Sequence, residues 1–210
     1  MGSTDLLESR NEYLLNNFER ALKEGWIEIY VQPVVRSSNG KVCEEEALAR
    51  WEDPVLGVLN PFDFLPFLEE AGLTECFDLY ILEKVLEKMQ GQIDAGVPLL
   101  STSINFSRLS FQSRDIIKKI EKRVNGAGIS KQLITFEIAD GTASTENFKT
   151  IAQLARLKEL GYRIELDDYG NGDISLLLSQ EFRFDAVKIN MSVIRQSLIN
   201  ENARIILSEL

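Results

Sequence analysis

Arg163-Ile164-Glu165-Leu166-Asp167-Asp168-Tyr169-Gly170-Asn171-Gly172 is a short β-prone run that ends in two adjacent carboxylates and passes into a glycine-punctuated loop. Both glycines can take positive φ and let backbone approach a ligand closely, so the stretch reads as a site built at a strand end. On an extended backbone Asp167 and Asp168 would face opposite sides, and each would need its own counter-charge, for which a cation is the natural partner. An isolated Asp-Asp-x-Gly is more often a solvated turn. What the rest of the chain places beside it decides the reading.

Around this stretch the pattern is regular from Leu99 onward. Leu99 to Phe106 precedes a helix carrying Ile116, Ile117, Ile120 and Val124, and Leu133 to Ile138 precedes one carrying Phe148, Ile151, Leu154, Ala155 and Leu157 up to Gly161. Tyr162 to Asp167 is followed by Ser175 to Leu178, and Ala186 to Ile189 by a last helix running to Leu210. Strands alternating with amphipathic helices predict parallel βα units, with strands buried on both faces and helices outside. Upstream, Asn11 to Leu22 has the spacing of an amphipathic lead-in helix stopped by Gly25. Ile27 to Val35 and Val42 to Ala49 form an antiparallel hairpin through Asn39-Gly40. Asp53 to Gly57 is a turn, Asn60-Pro61 caps a short helix closed by Gly72, and Thr74 opens a longer one. Leu79, Leu82, Val85, Leu86, Met89 and Ile93 stripe that longer helix as core.

The chain has 210 residues, 44% of them apolar, enough for one sizeable core. A formal charge of −10 disfavours long nucleic acid and anionic membrane as partners. No stretch is apolar and long enough to span a bilayer, and nothing resembles a signal peptide, so a cytoplasmic setting is the expectation. Met1-Gly2-Ser3 reads as a cloning remnant; residues 1–25 form the lead-in and 26–210 one βα domain. Cys43 and Cys76 fit no zinc spacing and no disulfide framework. Histidine is absent, which leaves any catalysis to carboxylates, lysine and metal, in a site whose oxygen donors suit magnesium, manganese or calcium.

Polar residues fall at the same place on each strand. Asn105, Glu137, Asp167 with Asp168, and Lys188 with Asn190 close the βα strands, and Glu46 holds a comparable place on the second hairpin strand. In βα barrels the C-terminal ends of the strands carry the active site. A ring of carboxylates with one amide has the hardness and ligand count for divalent cations, with Lys188 as a positive charge for an oxyanion or an attacking water.

These motifs, in order, resemble the EAL-domain family, cyclic di-GMP phosphodiesterases built on a modified βα barrel. Tyr30-Val31-Gln32-Pro33 resembles its opening strand, Glu46-Ala47-Leu48 with Ala49-Arg50-Trp51 its signature, and Ser103-Ile104-Asn105-Phe106-Ser107 its asparagine strand. Phe136-Glu137-Ile138 and Asp167-Asp168-Tyr169-Gly170 resemble the strands bearing further acids. The resemblance implies an α/β fold, a modified TIM-type barrel with an antiparallel N-terminal hairpin. It implies Mg2+ or Mn2+ on Glu46, Asn105, Glu137, Asp167 and Asp168, and nucleotide contacts from Gln32, Leu48 and Arg50. Glu46, Lys188 and Asp168 are the catalytic candidates, and cyclic di-GMP, hydrolysed to linear pGpG, is the substrate.

The departures carry expectations too. Asp140 stands where the family has a glutamate bracing the loop after the Asp pair, and Asp173 adds an acid to that loop, so Tyr169 to Ser175 is expected to be displaced. Asn190 replaces an aspartate. Against the family pattern the barrel is incomplete at the C-terminus by two βα units, from which a homodimer across the open side is expected. A GGDEF or sensor domain could precede the lead-in helix. The rival reading is a catalytically degenerate module that binds the nucleotide or a protein.

Overall fold

The computed structural model describes residues 3–139, 147–169 and 182–200. Helix α1 (Ser3–Glu24) leads into strands β1 (Ile27–Val35), β2 (Val42–Asp53) and β3 (Gly57–Leu59), then helices α2 (Pro61–Glu70) and α3 (Thr74–Asp94). Strand β4 (Ser101–Asn105) and helix α4 (Ile116–Ala127), β5 (Ile134–Ala139) and α5 (Asn147–Glu159), β6 (Arg163–Tyr169), then β7 (Ala186–Ile189) and α6 (Met191–Ser197) complete the described elements. The order across the sheet is β1-β2-β4-β5-β6-β7, with β3 on β2. The hairpin strands β1 and β2 pair antiparallel, and every pair from β2–β4 to β6–β7 is parallel. This is the βα architecture with an antiparallel opening that the alternating pattern predicts.

Local chemistry explains the element ends. Asp53 turns the chain after β2, because its Oδ1 accepts the backbone N–H groups of Val55 and Leu56, both at 2.8 Å. Asp63 returns a hydrogen bond to the N–H of Asn60 at 3.0 Å, and Pro61 supplies a first helical residue that needs no donor partner. Gly128 closes α4 in the left-handed conformation that glycine adopts without steric cost.

The sheet departs from expectation in the chemistry of its faces. On β4, β5 and β6 the residues Ile104, Phe136, Ile138, Ile164 and Leu166 are buried; most of them pack with helix residues such as Leu82, Ile120 and Leu157 in the main core. The intervening residues, Ser101, Ser103, Thr135, Glu137, Arg163 and Glu165, are polar. The strands are covered on both sides, as predicted, but only one face is apolar; the alternation is that of a polar barrel interior inside an apolar jacket. Glu44 on β2 answers this interior by accepting from the Thr135 hydroxyl at 3.0 Å and lying 3.7 Å from Arg163. Ile93, expected on the core stripe of α3, is 45% exposed at the end of its helix.

Around the hairpin the core is aromatic. Trp51 is fully buried, with Phe18 of α1 at 6.2 Å and Phe64 of α2 at 5.6 Å between ring centroids; Phe64 in turn meets Phe77 edge-on at 5.5 Å. Helix α1 is thereby part of the fold, since Leu14, Phe18 and Ala21 are all buried. Trp51→Ala should cost about 3–5 kcal/mol of unfolding free energy. Denaturant titration checks this, and a midpoint unchanged from the parent would mean that the α1–α2 jacket is dispensable.

Candidate active site

Parallel pairing puts the predicted site residues at one mouth of the sheet. Asn105 stands opposite Glu137, and Ala139 opposite Asp167, so the ends of β4, β5 and β6 step around together. Glu46 pairs with Ser103 across β2 and β4, one step deeper. Lys188 comes from β7 and joins two of these strands: its ammonium lies 3.0 Å from Glu46 Oε2 and donates to Glu137 Oε1. Asn105 adds its amide to Glu46 Oε1 at 3.4 Å. Asp167 and Asp168 occupy the same end of β6 but form no ion pair or hydrogen bond with this group among the described residues.

Asp168 corrects the extended-backbone reading. Its φ is +57°, a left-handed conformation rare outside glycine, and the β6–β7 register slips between Leu166 and Tyr169. A bulge therefore sets the two aspartates. Asn190, the departure from the family's aspartate, donates its amide to Asp168 Oδ1 at 2.9 Å and accepts the Ser192 N–H at 2.7 Å, capping α6. An aspartate there could not make the first bond. Asp140 and the loop after Tyr169, including Asp173, lie outside the described residues.

Electrostatically the mouth holds more carboxylate than its cation can answer. Glu137 is completely buried, its Oε2 has no partner, and burial pushes its pKa up to about 7 despite the Lys188 and Ser103 hydrogen bonds. Burial raises Asp167 as well, against the pull of Lys188. Burial works against the charged form of Lys188, but its bonds to Glu137 and Glu46 outweigh this and its pKa stands above the usual lysine value. An orphaned carboxylate oxygen in an all-oxygen donor set fits a hard divalent cation. Among the described residues, however, no three acids stand close enough together to hold one as placed. Lys188 already fills the role of cation between Glu46 and Glu137, and a metal would share or replace it.

Outside this centre opens a cleft of about 1080 Å³, lined by Glu46, Arg50, Asn105, Glu137, Asp167 and Asp168 among others. That is at or above the usual volume of about 300–1,000 Å³ for small-molecule sites. Leu48 also lines it, half-buried, whereas Gln32, opposite Glu46 in the hairpin, is exposed and not part of the lining. Arg50 has no carboxylate partner among the described residues; it donates to the Ala49 carbonyl at 2.7 Å and lies 5.8 Å from the Tyr30 ring. It is a positive group held ready beside an acidic centre. The remaining walls were not legible from motifs: Phe62, 92% exposed at the start of α2, and Asp78, fully buried on α3. Asp78 interrupts an apolar stripe at a position where the periodicity calls for core, which was the only signal available.

Fold and site together define a βα-barrel protein with an acidic centre, and an arginine without a carboxylate partner among the described residues, at the C-terminal mouth of its strands. The chain belongs to the EAL domain family, whose profile matches residues 15–210. Its relatives include the probable cyclic di-GMP phosphodiesterase PdeB of Escherichia coli K12, 31% identical over 85% of this chain, and the cyclic di-GMP phosphodiesterase NbdA of Pseudomonas aeruginosa, 27% identical over 83%. The chain spans 34% of PdeB and 22% of NbdA. Among solved structures, the PaMucR phosphodiesterase in complex with c-di-GMP superimposes with a TM-score of 0.82 at 26% identity, over 94% of this chain and 80% of that one. The fold is the TIM-like barrel of EAL domains. No helix among the described residues is long and apolar enough to cross a membrane.

Lys188→Met should lower stability by about 1–3 kcal/mol near neutral pH, since Glu46 and Glu137 would face each other without a cation. Mg2+ or Mn2+ should restore more to this variant than to the parent; equal melting of both proteins in chelator would show that the lysine is not the internal counter-charge.

Burial raises Asp78 from 3.8 to about 7, against the hydrogen bonds it accepts from Ser110 and Ser107. A raised carboxylate pKa means that the cost of ionisation is absent below the unfolded value, grows through the window from 3.8 to about 7, and is complete above it. Asp78→Asn should therefore gain stability over the parent at pH 8 and lose that advantage towards pH 4. Denaturant midpoints across that range read the difference, and a gap of constant size would contradict it.

Proposed function

We propose that this chain carries the site of a divalent-metal-dependent phosphodiesterase that opens one phosphodiester of cyclic di-GMP to linear pGpG. The convergence of Glu46, Asn105, Glu137 and Lys188 at the strand mouth, with Arg50 lining the same cleft, carries the reading. The relatives bearing the name cyclic di-GMP phosphodiesterase support it.

In this reading Glu46, Asn105, Glu137, Asp167 and Asp168 would hold Mg2+ or Mn2+. When bound, the cation lowers the pKa of an attacking water and offsets phosphate charge. Arg50 grips the phosphate by a charge-assisted contact and fixes its angle to the centre. Leu48 and Gln32 flank the nucleotide, the first inside the cleft and the second at its edge. Lys188 stays protonated between Glu46 and Glu137, orienting both and offering positive charge to the oxygen that attacks. Water's oxygen bonds to phosphorus, the phosphorus–oxygen bond to one ribose breaks, and the leaving oxygen takes a proton. Asp168 and Glu46 are the candidates to receive the water's proton. Asp140 is assigned to brace the loop beyond Asp168.

A second reading has its own observation. With no trio of acids converging among the described residues and Lys188 seated between two of them, the same cleft would serve a receptor that binds the nucleotide without cutting it. A homodimer, a GGDEF or sensor domain before α1 and a cytoplasmic setting belong to either reading; a relative of which this chain spans 27% bears the name bifunctional diguanylate cyclase/cyclic di-GMP phosphodiesterase MucR.

Incubation with cyclic di-GMP in Mg2+ or Mn2+, followed by chromatography, should yield pGpG, and chelator should stop it. Glu46→Gln should lower turnover by about 100-fold or more, and Arg50→Ala should weaken affinity by about tenfold or more, the value of a charged hydrogen bond. Tight binding with no product in either metal would favour the receptor; neither binding nor product would overturn both.

A further inference from the structure

The wall of the cleft after β4 is held by a group outside the metal-ligand set. Asp78, in the second turn of α3, is 3% exposed, and its Oδ2 accepts the Ser107 N–H at 2.8 Å and the Ser110 hydroxyl at 2.6 Å. No cation pairs with it among the described residues, and the charges that bear on it, Glu69 and Glu75, are of like sign. A buried, unpaired carboxylate is expensive, and a stability argument alone would replace it with an apolar residue. Its cost calls for a function in what it holds.

What it holds is the segment from Asn105 to Ser113. At one end the Phe106 N–H donates to the Glu137 carbonyl at 2.9 Å, continuing the β4–β5 ladder beyond Asn105. At the other, Gln112 donates to the buried Thr150 hydroxyl at 3.2 Å and Gln153 to the Ser113 carbonyl at 3.5 Å. Between these anchors the chain turns through a short 3-10 helix, with Ser107, Arg108, Leu109 and Gln112 all lining the cleft. Asp78 is the interior fastening of that arch. A carboxylate suits the place because one oxygen can accept a backbone and a hydroxyl donor together.

We propose that Asp78 is a positioning residue of this site, fixing the Ser107–Ser110 backbone so that Asn105 on one side and Arg108 on the other are presented to the ligand in the cleft. The proposal rests on the phosphodiesterase or receptor reading for its ligand, but the geometry of the arch is independent of it. An error of about 1 Å in a positioning element can cost on the order of 100-fold in rate.

Asp78→Leu keeps the branched four-atom side-chain skeleton, though with bulkier methyls, and removes both acceptor contacts; Ser110→Ala removes one, and Asp78→Asn keeps both volume and an acceptor oxygen. Cyclic di-GMP affinity, measured calorimetrically with Ca2+ as the cation, should fall about tenfold or more in the leucine variant and less in Ser110→Ala, while Asp78→Asn retains most of it. Melting temperature should not follow this order, since removing the buried charge relieves its cost. Amide exchange of residues 107–112 should quicken in the leucine variant. Affinity that tracks melting temperature across the series, or a leucine variant with parental affinity and exchange, would overturn the proposal. Parental protein that binds no cyclic di-GMP would instead sink the functional reading, and the exchange measurement alone would then decide for or against Asp78 as the fastening of the arch.

Discussion

Carboxylates that face one another across the inside of a barrel must be answered by positive charge or by donors, because little water reaches them. In this chain the answer is Lys188, whose ammonium is shared by Glu46 and Glu137, on strands that are not its neighbours in the sheet. That single contact ties β2, β5 and β7 together at the mouth. A second set works one layer deeper, where Glu44 collects Thr135, Ser101 and Arg163 and so joins β2 to β4, β5 and β6. The polar interior is cross-linked by charge, while the apolar jacket outside it supplies the burial energy.

This division of labour explains why the site can be strained and acidic without unfolding the domain. Burial of Ile104, Phe136, Ile138 and Ile164 against the helices is continuous beneath the mouth. At the mouth sit the left-handed Asp168, the slipped β6–β7 register and the unpartnered Glu137 oxygen. Backbone strain and an unpartnered buried carboxylate oxygen together at the mouth of a well-packed sheet are features that cluster at binding centres.

Lys188 also connects the two readings of function. A lysine held between two carboxylates supplies there the positive charge that the buried acids need. In both readings the ammonium between Glu46 and Glu137 is the charge that holds the two carboxylates together at the mouth. Asn190 acts on the neighbouring acid instead, its amide keeping one oxygen of Asp168 engaged.

Much of this was written in the one-dimensional pattern. Short β-prone runs alternating with amphipathic helices determined the parallel βα order, Asn39-Gly40 determined the hairpin, Asn60-Pro61 the start of α2, and the polar residues closing successive strands the position of the site, because each of these is a local rule acting within a few residues. Family motifs then named the acids. Three things only the tertiary structure decided. Which acid would be orphaned and which paired depended on where β7 delivered Lys188, a contact spanning 51 residues to Glu137. The face of β6 on which Asp168 falls depended on a bulge that leaves no mark in an Asp-Asp pair. And Asp78, hidden in an apolar stripe, acquired meaning only when α3 brought it to the Ser107–Ser110 turn, since a buried carboxylate is defined by the donors that surround it and not by its neighbours in sequence.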